Sequence, residues 1–238
     1  MVISPDGASL LSTITTALFL LGFVGMAAGS FYFILERNEL KAGVRSVAIY
    51  AAVITAVAAI LYYNMLNLVL DGNLGQTVEL RYIDWVITTP LLLLEFGVIA
   101  ALVGKLKKGL LGRLIVADLI MIITGFLGEI SAPGSVGAYI FFIISVLAWI
   151  WIIIEVFGVP SGGKGYAATA VKTMKYFVII GWSIYPLGTA IQQFMSLGNA
   201  DATALTNGAL IAASVYVVAD LVNKVVFGIV AVRAAKNA

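Results

Sequence analysis

Two ionisable residues, Asp220 and Lys224, stand four positions apart in VYVVADLVNKVVFGIV, a stretch otherwise almost wholly apolar. Four residues is about one helical turn, so the two side chains share a face and can pair. A lysine buried in apolar surroundings is also the side chain that forms Schiff bases, because desolvation favours its neutral, nucleophilic amine. A second stretch, RYIDWVITTPLLLLEF (81–96), repeats the theme with Arg81, Asp84 and Glu95. Eleven residues at about 100° each bring Asp84 and Glu95 to one face of a helix, ~16 Å apart along its axis, with Thr88 between them. Two aligned carboxylates with a hydroxyl between them suit a proton path. The structural alternative is that each charge is merely paired to a neighbouring helix.

These groups matter because of where they sit. The chain of 238 residues is 62% hydrophobic and 11% charged, against about 25% charged in an ordinary soluble domain. Its long, nearly charge-free tracts read as membrane-crossing helices rather than barrel strands. Seven spans are predicted, at 9–35, 43–70, 79–104, 110–131, 135–159, 167–197 and 203–234, joined by short links such as DGNLGQT and PSGGKG rich in helix breakers. The expectation is an all-α membrane protein, a seven-transmembrane-helix bundle forming a single domain over 1–238. Without Cys or His, disulfides, Cys/His metal centres and Ser-His-Asp catalysis are excluded, and no metal site is expected.

Twelve of the fourteen Lys and Arg residues follow or flank spans one, three, five and seven. The positive-inside rule therefore puts the N-terminus outside and the C-terminus in the cytoplasm. The two exceptions are Arg81 and Lys224, both within spans. An intramembrane charge is by default a functional-site hypothesis. Asp118, Glu129 and Glu155 are weaker signals, for which local hydrogen bonding explains as much. Trp85, Met121, Phe142, Ser145, Trp149, Trp182, Tyr185 and Pro186 read as ordinary helix packing or, converging on a buried lysine, as the walls of a slot for a flat apolar cofactor. Pro186 removes a helix hydrogen bond and is expected to kink span six.

RYIDWVITTPLLLLEF, ADLIMIITG, WSIYP and ADLVNK together resemble the microbial rhodopsins, in the family's order and on its helices three, four, six and seven. The resemblance covers essentially the whole chain. It implies all-trans retinal bound to Lys224 as a protonated Schiff base, and a light-driven outward proton pump rather than an enzyme. By the same resemblance Asp84 is the primary counterion and proton acceptor, Asp220 the second counterion, and Glu95 the cytoplasmic proton donor. Thr88 completes an Asp-Thr-Glu triplet, and Arg81 couples the counterions to the exit. Trp85, Thr89, Leu92, Met121, Gly125, Phe142, Ser145, Trp182, Tyr185 and Pro186 match retinal-pocket positions, with Leu92 implying green absorption.

Departures from the family pattern shape further expectations. Leu61 stands where many proteorhodopsins carry a histidine beside the acceptor. Gln192 and Gln193 replace the paired glutamates of early proton release, so release is expected late unless Glu79 or Asp201 takes over. Thr189 replaces a pocket aromatic. Phe142 replaces the glycine that opens a window to an antenna, so no carotenoid is expected. The implied partners are protons, the lipid bilayer and further copies of the chain in a trimer or pentamer, with no nucleic acid. The implied location is the plasma membrane, crossed several times. The rival reading is a sensory rhodopsin signalling to a transducer; Glu95 argues for pumping.

Overall fold

Helices dominate the computed structural model, which describes residues 10–132, 134–197 and 202–238 and the side chains of these except at 191–197 and 202–204. It is 88% helical and without strands among the described residues. Five helices run uninterrupted: α1 (Leu10–Glu36), α2 (Arg45–Leu70), α3 (Thr77–Val103), α4 (Leu110–Glu129) and α5 (Val136–Phe157). The sixth, α6, is a helix over Tyr166–Tyr176, a π-helical segment over Phe177–Gly181 and a helix over Trp182–Leu197. The seventh, α7, is built the same way from Ala202–Asp220, a π segment Leu221–Val226, and Phe227–Lys236. The seven predicted spans are all present, with ends displaced by only a few residues. Among the described residues, six of them are long and apolar enough to cross a membrane by length and composition.

The ends are set by local chemistry. Gly72 and Gly109, at φ of 78° and 74°, turn the chain after α2 and into α4 in the left-handed region that glycine enters without strain. Ser135 caps α5, its hydroxyl accepting from the Ala138 amide at 3.2 Å. At the bundle end that carries the C-terminus, charges tie neighbouring helices. Arg113 makes two bonds to Glu155, at 2.5 and 3.0 Å, and Lys236 reaches Glu36 at 2.6 Å. Lys175 donates to the Val159 carbonyl at 2.6 Å and to the Phe157 carbonyl at 3.2 Å, capping the end of α5 from α6.

Packing follows the logic of a bundle in lipid, where small residues let helices approach. In α1, a Cβ added to Gly22 would lie 2.8 Å from the Tyr62 ring of α2, and one on Gly25 would lie 2.7 Å from Leu221 of α7. On α5, Ile143, Leu147 and Ile154 point outward at helical spacing, a lipid-facing stripe. The main apolar core gathers Phe33, Val47, Leu92, Leu93, Phe96, Leu114, Met174 and Phe227 in the C-terminal half of the bundle. A smaller cluster of Tyr82, Trp85 and Ile122 lies nearer the opposite end.

α6 departs from α geometry at Phe177–Gly181, one turn before Pro186, while the helix Trp182–Leu197 runs through the proline. The irregularity of α6 thus lies before Pro186, where a kink was expected, and not at it. Its neighbour is the α7 π segment that carries Lys224. Asn223 of that segment donates to the Gly181 carbonyl at 3.1 Å and to the Tyr185 hydroxyl at 3.3 Å. A side chain on Gly181 would collide with Asn223.

Candidate functional site

Lys224 is buried at 2% exposure on the inner face of α7. Its Nζ pairs with Asp84 Oδ2 of α3 and, at 3.1 Å, with Asp220 Oδ2 one turn earlier on α7. A buried cation needs opposite charge and hydrogen bonds to offset its lost hydration, and here two carboxylates supply them.

The two aspartates are held differently. Asp220 accepts from Tyr62 of α2 at 2.8 Å on Oδ2 and from Tyr185 of α6 at 2.5 Å on Oδ1. Both its oxygens are engaged. Asp84 spends Oδ2 on Lys224, while Oδ1 is buried without a hydrogen-bond partner among the described residues. Thr88, one turn on, donates to the Asp84 backbone carbonyl at 2.9 Å.

Arg81, one turn from Asp84 toward the start of α3, makes its ion pair with Glu129, Nη2 to Oε1 at 3.2 Å. Tyr82 donates to the other Glu129 oxygen at 3.0 Å, and the Arg81 guanidinium lies 4.8 Å over the Tyr216 ring. On the other side of Lys224, Glu95 is fully buried among the apolar residues of α3 and its neighbours, with both oxygens unpartnered among the described residues. Asp118 and Glu155 have local partners. Asp118 accepts from Thr89 at 2.8 Å, and Glu155 pairs with Arg113. Glu79 is exposed, and Leu61 is partly buried in the α1–α2–α7 packing. Asp201 and the side chains of Gln192 and Gln193 lie outside the described residues.

A cavity with about 860 Å³ of empty space, its open mouth included, extends from Lys224 between α3, α4, α5 and α6. Trp85, Thr89, Leu92, Met121, Gly125, Phe142, Ser145, Trp182, Tyr185 and Pro186, the slot residues expected from sequence, all line it, together with Asp220 and Lys224. Tyr82, Ile122, Gly128, Ala138, Val146, Trp149, Thr189 and Asn223 line it as well. Its wall is tied across helices: Ser145 donates to the Met121 carbonyl at 2.8 Å and Trp149 to the Val178 carbonyl at 3.2 Å. The Trp85 Nε1 is buried without a partner among the described residues. An elongated apolar molecule joined to Lys224 suits this chamber, with one polar end at the aspartates and a hydrocarbon body between aromatic walls.

Sequence reasoning missed Tyr62 as a donor to Asp220, and gave Glu129 no more weight than local bonding. A tyrosine next to Leu61, one residue from the position already in question, was the available signal for the first. Glu129 carried none beyond being an acid near a helix end.

Comparison with known proteins agrees with the geometry. Residues 13–238 match the family model described as bacteriorhodopsin-like protein. The green-light absorbing proteorhodopsin of Gamma-proteobacterium EBAC31A08 is 32% identical, over 95% of this chain and 90% of the relative. Sensory rhodopsin-2 of Natronomonas pharaonis is 29% identical, over 92% and 89%. The crystal structure of Exiguobacterium sibiricum rhodopsin superposes with a TM-score of 0.82 at 38% identity, covering 95% of this chain and 97% of that one.

Proposed function

The chain belongs to the bacteriorhodopsin-like family, the microbial rhodopsins, and from that premise we propose that it is a light-driven outward proton pump. The family's chromophore is retinal, and the cavity ending at Lys224 fits it. Lys224 would hold all-trans retinal as a protonated Schiff base, and the group would supply light absorption and photoisomerisation. In this reading the whole chain, 1–238, is one retinal-binding transmembrane unit of the plasma membrane, an ion transporter and not an enzyme, assembled as a trimer or pentamer. The N-terminus is outside and the C-terminus cytoplasmic.

The observation that carries the reading is the asymmetry around Lys224 Nζ. Asp84 and Asp220 both neutralise it, but Asp220 already accepts from two tyrosines and the lysine. Asp84 alone of the pair has an oxygen to spare. Asp84 therefore takes the proton from Nζ, and Asp220, with both oxygens engaged, serves as the fixed second counterion. Thr88 and Arg81, a turn to either side of Asp84 on α3, complete its surroundings. Glu95, fully buried and with neither oxygen partnered among the described residues, returns a proton to Nζ from the cytoplasmic side. Proton transfers in opposite halves of the bundle then sum to one outward step.

A photosensor is the second reading, favoured by the likeness to sensory rhodopsin-2. The two are separated by the light-induced pH change of an unbuffered suspension of retinal-fed expressing cells. Acidification abolished by a protonophore is expected of the pump. Coloured cells with no pH change would sink the pump and favour the sensor.

A further inference from the structure

Arg81 is held by Glu129 on its outer side, and this pairing has a role that the proton path from Lys224 to Asp84 leaves unassigned. Glu129 is the last residue of α4 and its side chain is 8% exposed, against 7% for that of Arg81. Its two oxygens are taken by different residues of α3: Oε1 by Arg81 at 3.2 Å and Oε2 by Tyr82 at 3.0 Å. The groups facing it with charge or a titrating proton are Arg81 and Tyr82 of α3 and Tyr216 of α7, over whose ring Arg81 lies. The other acids of this end among the described residues, Asp71 and Glu79, are exposed and so belong to bulk water already. Glu129 is the one screened from it.

Arg81 is fastened loosely for a buried guanidinium. One hydrogen bond and one ring contact hold it, and its Nε is buried with no partner among the described residues. It stands one turn outward from Asp84 on the same helix, so it faces inner carboxylates on one side and Glu129 on the other. A guanidinium with donors unspent between two acidic sites is built to pass from one to the other.

We infer that Glu129 is the exit relay of the proton pump, the carboxylate that receives the proton of Asp84 and hands it to the exterior. The inference rests on the pumping reading above. Both Glu129 oxygens accept hydrogen bonds, Oε1 from Arg81 and Oε2 from Tyr82, so neither is placed to give a proton in advance. The step is a single transfer: Asp84 loses the proton it took from Lys224 Nζ and becomes ionised again, and a Glu129 oxygen gains it. Arg81, freed from Glu129 by that neutralisation, turns to the newly charged Asp84. Glu129 then gives its proton to outside water and takes Arg81 back. Outward release therefore comes after Asp84 lets go, at the end of the cycle, and Tyr82 holds the relay oxygen in place.

The test follows purified, retinal-loaded protein after a flash, with a pH-sensitive dye in the medium and the infrared carboxyl band of Asp84. The unaltered protein is expected to take up a proton first and release it later, in step with loss of the Asp84 band. Glu129→Gln should slow that loss at least about tenfold while the earlier rise and fall of deprotonated Nζ keep their rates. Formate in the medium should restore the fast loss, because a small carboxylate can replace a relay but not a brace. Glu129→Asp, which keeps the carboxylate, should stay close to the unaltered protein. Release before uptake in the unaltered protein overturns the inference even if Glu129→Gln fails to bind retinal. So does an Asp84 loss unchanged in Glu129→Gln, or one slowed but indifferent to formate. None of these outcomes touches the cell-suspension measurement, so the relay can fail while the pump stands.

Discussion

Tyr62 and Tyr185 reach Asp220 from two different helices and close on its two oxygens, at 2.8 and 2.5 Å. Neither is hydrogen-bonded to Asp84 among the described residues. Hydrogen bonds to a charged group are worth roughly 1.5–3 kcal/mol each, and Asp220 accepts three. Tyr62→Phe is therefore expected to lower the stability of the coloured protein by about that amount and to leave light-driven acidification in place. Thermal bleaching and the cell-suspension assay read the two effects. Loss of transport with stability intact would show that Tyr62 belongs to the proton path instead.

Asp84→Asn removes the acceptor and leaves Asp220 as the remaining charge beside Lys224. Outward transport should fall by at least ~100-fold. Colour should remain and move to longer wavelength, because less negative charge faces the positively charged end of the chromophore. An Asp84→Asn protein that still acidifies the medium would transfer the acceptor role to Asp220.

Glu95 is buried with neither oxygen partnered among the described residues, an arrangement that costs stability and so suggests service. Glu95→Gln should slow the return of the proton to Lys224 by ~100-fold or more, with the first transfer to Asp84 unaffected. Glu95→Leu should melt higher than the unaltered protein, by an amount on the order of 1–3 kcal/mol. Flash absorption and thermal bleaching check the pair, and a Glu95→Leu variant less stable than its parent would mean that Glu95 has a structural partner.

Gly181 of α6 lies so close to Asn223 of α7 that a Cβ on the glycine would overlap the Asn223 amide. Gly181→Ala places a methyl group against the Asn223 amide and should cost about 1–3 kcal/mol by overpacking. Combining it with Asn223→Ala should recover part of that loss, since residues in contact do not add independently. Strictly additive melting shifts would show that the added methyl group finds room elsewhere.

Much of this arrangement could be read in the chain itself. Charges are so scarce within the spans that Arg81, Asp84, Glu95, Asp220 and Lys224 stand out singly, and helical periodicity aligns Asp84 with Thr88 and Glu95. The seven spans were legible because lipid demands long apolar runs, and their ends agree with Gly72, Gly109 and Ser135. What sequence could not convey was pairing between distant helices. Tyr62 reads as one more aromatic of α2, although it meets Asp220 across 158 positions. Glu129 reads as a helix-end acid, although Arg81 comes to it from α3. The π segments had no signature either, because one residue of slack leaves an apolar run looking like any other. Pro186 drew attention to α6 but one turn too late.

That slack has a meaning for the length of the chain. A π segment accommodates about one residue more than the α-helix it interrupts, so the parts of α6 before and after Phe177–Gly181 are out of step by roughly 100°, one residue's rotation. Deleting one residue there, such as the outward-facing Ile180, lets the segment tighten into ordinary helix while Trp182 and Tyr185 keep their direction. Deleting one residue within Tyr166–Tyr176 offers no such absorption and turns one part of the helix against the other. The first deletion should still yield coloured protein on adding retinal and the second should not; if both fail alike, the segment is no spare residue. Where the helix is widest, the chain has a splice point at which its length can change without moving the groups around the lysine.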